Sequence, residues 1–547
     1  MANKLAWRVK LSDGWTNFCG RPYLNLGLVA VVSLMVFVYL QPAAKFADPD
    51  SFYHTWLTVT MRDSGLVRDF PWTQASLYQD IFIDHHFGYH LLLIPFVSLW
   101  PDLKGLQVAT VVFASLTMLA CAWLLRRWRV PWWGLGVLLL LTAGPLLFRL
   151  SLGKAPSLGV GVAVIGYYLI TERKLGWLFW WSWFFTWLYS AWPLLIVMAA
   201  VYLLVDSLTN PTAVAGSGNE TGGLSSLLHG HIKPWLHYLF NHDNFYLVGV
   251  ILLGYLAGLI INPYFPTNLL YLQQLFTMAL VAYRKFIGIG SEWYPYSPTE
   301  LAANLAYPIL IWLLASLVAV ATRKQQTSLS RTTWLLAVIF LLYTLRARRQ
   351  VEYLAPWLVL SSGLIVRDAW NRVVSLKQLW QDFVAWLPSW LSGRFVLGFL
   401  SLYLAVLVPW GLARGVQSAR AGLNQGLAFS KLQSASQWLK DNTEARAIVF
   451  QNDWGTFPVL LYHNSHNYYL TGLDQTFMYE YDRASYWQWV EATQGKTPAV
   501  CQLAKHKFQA SYLLLDKTYP AMLYQINRDA GCRRVYEDSQ AVIFSLP

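Results

Sequence analysis

The sequence predicts a polytopic α-helical membrane protein that ends in a small extracytoplasmic α/β domain. Three observations carry this. Only 13% of the 547 residues are charged and 56% are hydrophobic, whereas soluble chains are about a quarter charged. Apolar runs long enough to cross ~30 Å of hydrocarbon recur through the first three quarters of the chain. Beyond residue 412 no run is long enough, and β-branched strands alternate with amphipathic helices. The expected division is therefore a membrane domain over 1–412, with a long outer loop at 41–105, and an α/β domain over 413–547. A net charge of +13 would suggest nucleic acid in a soluble chain. Here much of it falls between spans, where the positive-inside rule accounts for it, so no nucleic-acid partner is expected. The 29 tryptophans and 31 tyrosines fit interfacial belts.

The elements follow in order. Lys4, Arg8, Lys10 and Arg21 hold the N-terminus in the cytoplasm, and the run over 23–40 is too long for a signal-peptide core. In the outer loop, "HLLLIPFVSLW" is too short for a crossing and reads as an interfacial or half-buried helix. The span 106–125 returns inward to "RRWR" at 126–129, and 131–148 with 156–170 lead to "ERK" at 172–174. The pair 177–189 and 193–205 precedes a flexible segment, "AVAGSGNETGGLSS". Spans 245–261 and 301–321 follow. The next, 334–345, places "RARRQ" on the outer face against the charge rule. Spans 353–366 and 395–410, separated by Arg367, Arg372, Lys377 and Arg394, bring the total to about eleven. That odd number, with an inside N-terminus, puts the C-terminal domain outside. Cys501 and Cys532 fall in it; their pairing is left open. The chain is thus expected to be an integral multi-pass protein of a plasma or inner membrane.

This topology collects unusual polar residues on one side. Asp48, Asp50 and His54 begin the first outer loop, in "FADPDSFYHTW". Asp84, His85, His86 and His90 lie near its end, in "DHHFGYH". Glu292 stands in "GIGSEWYPYSP", and Arg346, Arg348 and Arg349 are outside. Carboxylates with imidazoles suit Mg²⁺ or Mn²⁺, and arginines grip phosphate oxygens. Each group also has a plainer reading. The aspartates could cap a helix, the histidines could be loop scaffolding, and Glu292 beside Trp293 could be an interfacial anchor. The tryptophans of "GWLFWWSWFFTW" read as lipid-facing or packing residues, and "GVGVAVIG" as a close helix-packing face.

A long acidic first outer loop, a many-span body and a terminal α/β domain together resemble the GT-C glycosyltransferases, which use polyprenyl-phosphate-linked sugars. Three motifs are similar to those of oligosaccharyltransferase catalytic subunits. "DPDSFYH" matches their first acidic motif, which implies Asp48 or Asp50 as a metal ligand. "GSEWYP" is similar to their outer-loop glutamate motif, which implies that Glu292 holds metal or acceptor. "NDWGTFP" resembles Trp-Trp-Asp-Tyr-Gly at Asp453, Trp454 and Gly455, implying an acceptor-binding role. Two departures stand out. Gln451 and Asn452 replace the tandem tryptophans, and "FRLSLGKAP" carries Arg149 and Lys154 where a second acidic motif is expected. "DHH" could supply the missing ligand from an earlier position.

The expected chemistry is metal-dependent, inverting transfer from a polyprenyl phosphate or pyrophosphate to a protein, lipid or glycan acceptor, with membrane lipids around the spans. Asp48, Asp50, Asp84 and His86 would hold Mg²⁺ or Mn²⁺. Arg346, Arg348 and Arg349 would hold the donor phosphate, and Asp50, Asp48 or Glu292 would serve catalysis. A lipid or glycan transporter would need mid-membrane charges and internal repeats; the sequence shows few such charges and no repeat. A non-catalytic scaffold of the same fold draws its support from the absent carboxylate.

Overall fold

The computed structural model describes residues 22–209, 241–280, 283, 287–370, 393–529 and 531–547. The N-terminal basic residues Lys4, Arg8, Lys10 and Arg21, the Gly/Ser segment at 213–226, and Arg372 and Lys377 lie outside the described residues.

A helix stands at each predicted span, since burying a long apolar segment requires its backbone groups to be satisfied internally. Among the described residues, Asp102–Arg127 and His242–Ile260 are long and apolar enough to cross a membrane. The number becomes four if each of two sharply bent helix pairs is one span. Helix Asp102–Arg127 has 26 residues, about 39 Å at 1.5 Å each. Its first turn carries Asp102 and its last turn Arg126 and Arg127, matching the helix dipole at both ends. It packs on Pro22–Leu40 and on Pro156–Thr171. The small residues of "GVGVAVIG" permit the second contact: a Cβ on Gly161 would lie 2.7 Å from Thr117 Oγ1. Along Leu175–Leu188, Trp177 and Trp180 are exposed, while the Trp181 and Trp187 indoles donate to the carbonyls of Val162 and Gly258.

Two expected spans are broken. The run 131–148 divides into Trp133–Thr142 and Gly144–Leu150, bent by 82°. Pro145 has no N–H to give the Leu141 carbonyl, so the first helix cannot run through it, and the chain turns at Ala143, where ψ is 80°. The run 301–321 divides into Pro298–Asn304 and Ala306–Ala321, bent by 90°. A further helix, Thr267–Leu280, lies in what the sequence presents as an outer loop. Its polar Thr267, Asn268, Gln273 and Gln274 break the apolar run that would have marked it.

The segment 41–105 is built around helices Asp50–Ser64 and Phe87–Leu99, the latter being the expected short helix. The loop docks onto the C-terminal region at two places. Strand β1 (Lys45–Phe46) pairs antiparallel with β2 (Leu427–Ala428), just after the helix Gly393–Asn424, which runs on past residue 412. Near Trp72 the loop covers a sheet edge. Gln74 and Ala75 N–H donate to Tyr469 and Leu470 carbonyls, and the Trp72 indole donates to Ser465 O.

That sheet has five strands: β3 (Ile448–Gln451), β4 (Tyr468–Tyr469), β5 (Tyr512–Asp516), β6 (Arg533–Glu537) and β7 (Ala541–Ser545), in the order β4-β3-β5-β7-β6. β3 is parallel to β4 and β5, and β7 is antiparallel to β5 and β6. Cys501 and Cys532 are disulfide-bonded, with Cα atoms 5.7 Å apart.

Candidate active site

The acidic triplet sits at a helix start for a local reason. Asp48 Oδ1 accepts the backbone N–H of Asp50 at 2.7 Å, and Pro49 presets φ at −66° for the first turn. Asp50 then opens helix Asp50–Ser64, where a negative charge suits the dipole. Capping and site-building are thus done by the same residues.

What faces the pair is a lysine. Lys154 Nζ lies 2.9 Å from Asp48 Oδ2 and 2.7 Å from Asp50 Oδ2. Burial would lower the Lys154 ammonium, but Asp48 and Asp50 outweigh it and hold the group above its ordinary value. Burial raises the Asp48 carboxyl, against the opposing pull of Lys154.

A second charge network adjoins the first. Arg149, delivered by helix Gly144–Leu150, donates from Nε to Glu352 Oε2 at 2.9 Å, and its Nη2 lies 2.8 Å from the same oxygen. Its Nη1 pairs with Glu292 Oε2 at 2.5 Å. Arg349 donates to Glu292 Oε1 at 3.1 Å and to the Tyr189 hydroxyl at 3.0 Å, with its guanidinium 4.4 Å over the Trp293 ring. Burial would raise the Glu292 carboxyl, but Arg349 and Arg149 prevail and hold it well below the usual carboxylate range. Lys154 feels the charges of both Glu292 and Arg149, which joins the two networks.

The histidine cluster forms a third patch. Asp84 Oδ2 meets His90 Nδ1 at 2.7 Å, and His90 Nε2 meets His54 Nδ1 at 2.8 Å, all three buried. Asp84 Oδ1 accepts the His86 backbone N–H at 2.9 Å. The His86 ring stacks on Tyr189 at 5.6 Å, beside the arginine network. Desolvation pushes the His86 imidazole well below its usual value and His85 to about 4.

The structure therefore gathers Asp48, Asp50, Glu292 and Arg349. It sends other candidates elsewhere. Arg348 donates to the Tyr294 and Pro295 carbonyls and lies over Tyr296, and Arg346 is exposed. Asp453 caps its own turn, accepting the Gly455 N–H at 3.2 Å, and its charged neighbours are Asp516 and Lys431. Trp454 is partly buried against the apolar cluster of the C-terminal region that includes Phe450, Tyr486 and Trp489. The C-terminal carboxylate that does feel Asp50 and Glu292 is Asp474, at the N-cap of helix Gln475–Tyr481. Sequence reasoning passed over Asp474, Glu352 and Tyr189. Arg149 and Lys154 were visible as the charged residues of an otherwise uncharged inter-span segment, but their partners were not.

The expected metal shell of Asp48, Asp50, Asp84 and His86 is not assembled. Among the described residues no group of three or more His, Cys, Asp or Glu side chains is arranged to hold an ion. Both Asp84 oxygens are taken by His90 and the His86 amide, and an ammonium lies against Asp48 and Asp50. The donor set does not fit a divalent cation.

No family model matches the sequence, and no curated protein matches it. Solved structures do. The chain is similar to the oligosaccharyltransferase AglB of Archaeoglobus fulgidus, in complex with an inhibitory peptide and a dolichol-phosphate, at TM-score 0.57 and 13% identity, over 97% of this chain and 75% of that one. It is also similar to ArnT of Cupriavidus metallidurans in the apo state, at TM-score 0.53 and 12% identity, over 98% of both chains. The ArnT structure bound to undecaprenyl phosphate gives TM-score 0.52 and 13% identity, over 95% of this chain and 97% of that one. The chain has the GT-C fold, as the resemblance implied.

Proposed function

We propose that this chain is a membrane glycosyltransferase, taking a sugar or oligosaccharide from a polyprenyl phosphate or pyrophosphate and passing it to an acceptor on the extracytoplasmic side. The observation that carries the reading is the convergence of Asp48 and Asp50 with Lys154, Arg149, Arg349 and Glu292, drawn from four distant segments into one charged site. The structural neighbours lend support to the donor class, since one holds a dolichol-phosphate and another undecaprenyl phosphate.

The reaction is a single displacement with inversion. The bond from the sugar C1 to the donor phosphate oxygen breaks as C1 bonds to the acceptor heteroatom, and the acceptor proton passes to a carboxylate. Asp48 or Asp50 takes that proton; burial leaves Asp48 more basic than an ordinary aspartate. Glu292 is a poor base, because two arginines favour its ionised form, and it acts by positioning those arginines. Charge growing on the leaving phosphate is met by Arg149, Arg349 and Lys154.

A lipid or glycan acceptor fits better than a peptide. Gln451 and Asn452, which stand where tandem tryptophans would grip a peptide, are spent on the sheet. Gln451 binds the Thr471 carbonyl and the Leu470 amide, and Asn452 binds the backbone of Asp516.

The test is turnover by full-length protein in nanodiscs against a panel of labelled polyprenyl phosphate and pyrophosphate sugars, reading release of the free lipid phosphate. Asp50→Asn is expected to lose about 100-fold or more in rate without a change in unfolding temperature. Wild-type turnover by that variant would overturn the assignment.

A further inference from the structure

We propose that Lys154 is the resident cation of the acidic pair, doing with a side chain what a divalent metal would otherwise do, and that transfer runs without added metal. The charge claim stands on geometry, and its catalytic consequence rests on the transferase reading above.

One ammonium lies within hydrogen-bonding distance of a carboxylate oxygen from each aspartate, at 2.9 and 2.7 Å. These are lengths of charge-assisted N–H···O bonds; an oxygen shell around Mg²⁺ closes at about 2.1 Å. A divalent ion in the same place would have to displace Lys154 or accept its repulsion at contact distance.

The lysine is also held in place. The end of helix Pro22–Leu40 ties down its loop, Gln41 Nε2 donating to Ser151 O at 3.1 Å. The Lys154 N–H donates to Leu152 O at 2.7 Å, and the Lys154 carbonyl accepts from the Ser157 hydroxyl at 2.8 Å. Gly153 lies flat against the first turn of helix Asp50–Ser64, where a Cβ would come 2.8 Å from Ser51 Oγ. A segment anchored on both sides of the residue presents its side chain at a set position, as a preorganised charge must.

The remaining carboxylates supply no alternative shell. Glu292 is shared by Arg149 and Arg349, Glu352 is bound by Arg149 and Tyr189, and Asp84 is committed to His90 and the His86 amide. Taken as ionised, the four carboxylates Asp48, Asp50, Glu292 and Glu352 face the three cations Lys154, Arg149 and Arg349.

The experiment uses full-length protein in nanodiscs with two readouts, Mn²⁺ binding by electron paramagnetic resonance and turnover in excess EDTA. Wild type is expected to bind no stoichiometric Mn²⁺ below about 1 mM and to keep its rate in EDTA within about twofold. Lys154→Met should lose about 100-fold in rate and gain one Mn²⁺, which Asp50→Asn in the same chain removes. Lys154→Arg, which keeps the charge, should continue to exclude Mn²⁺ and serves as the check that the loop still folds. Stoichiometric Mn²⁺ in the wild type that Asp50→Asn abolishes would overturn the proposal. So would a Lys154→Met chain that is as blind to Mn²⁺ as the wild type, or one that turns over at the wild-type rate. If no donor in the panel is turned over, the transferase reading fails, while the Mn²⁺ titration still decides the charge claim.

Discussion

Replacing Glu352 with glutamine removes a charge while keeping the shape of the side chain. Glu352 is 1% exposed and its partner Arg149 7%. Oε2 accepts from Arg149 Nε at 2.9 Å, with Nη2 2.8 Å away, and Oε1 accepts from the Tyr189 hydroxyl at 3.3 Å. A hydrogen bond to a charged group contributes about 1.5–3 kcal/mol and a neutral one about 0.5–1.5 kcal/mol. Two bonds each weakened by about 1 kcal/mol make Glu352→Gln cost about 2 kcal/mol. Glu352→Ala removes the partner outright; the usual cost of about 3–5 kcal/mol for breaking a buried pair is an upper bound here, because Arg149 keeps Glu292. The assay is the apparent unfolding midpoint in nanodiscs, combined with a double-mutant cycle through Arg149→Met. The expected shift for Glu352→Gln is about 2 °C downward, with a coupling of at least about 1 kcal/mol. A coupling indistinguishable from zero would refute the pairing on which the second charge network depends.

His85 gives a pH signature. Its folded value is about 4, set first by burial and resisted by Asp84, while in the unfolded chain it titrates near 6.5. Between these values the unfolded state binds more protons, so the stability due to neutral His85 is full above about 6.5 and is lost as pH falls toward 4. His85→Phe, which preserves the stack on Tyr271, should flatten unfolding midpoints across that window, and an unchanged slope would count against it. Gly153→Ala places a Cβ 2.8 Å from Ser51 Oγ and 2.9 Å from Leu106 Cδ2. It should lower turnover by about tenfold through displacement of Lys154, with partial recovery on adding Ser51→Ala, as read by steady-state rates.

Much of the architecture was legible because apolarity is a property of contiguous segments. The run at 106–125 announces helix Asp102–Arg127 whatever surrounds it, whereas the helix that Asp50 opens, Asp50–Ser64, went unread because its polar residues carry no long apolar run. Thr267–Leu280 was not legible, since its glutamines interrupt the apolar run. The bend at Ala143 went unread, since 131–148 passes for one apolar span, and with it the delivery of Arg149 to Glu352.

The sequence by itself determined where the long apolar helices lie and that strands alternating with helices follow the last of them. Each of these follows from local desolvation and backbone geometry. Only the tertiary structure decided the partners. Arg149 meets Glu352 across 203 positions and Glu292 across 143, and Lys154 lies against two aspartates about a hundred residues before it. Coulombic and hydrogen-bond energies depend on distance in space, so which charges neutralise one another was settled when the helices packed. The same packing turned an acidic cap into a site with a lysine against it.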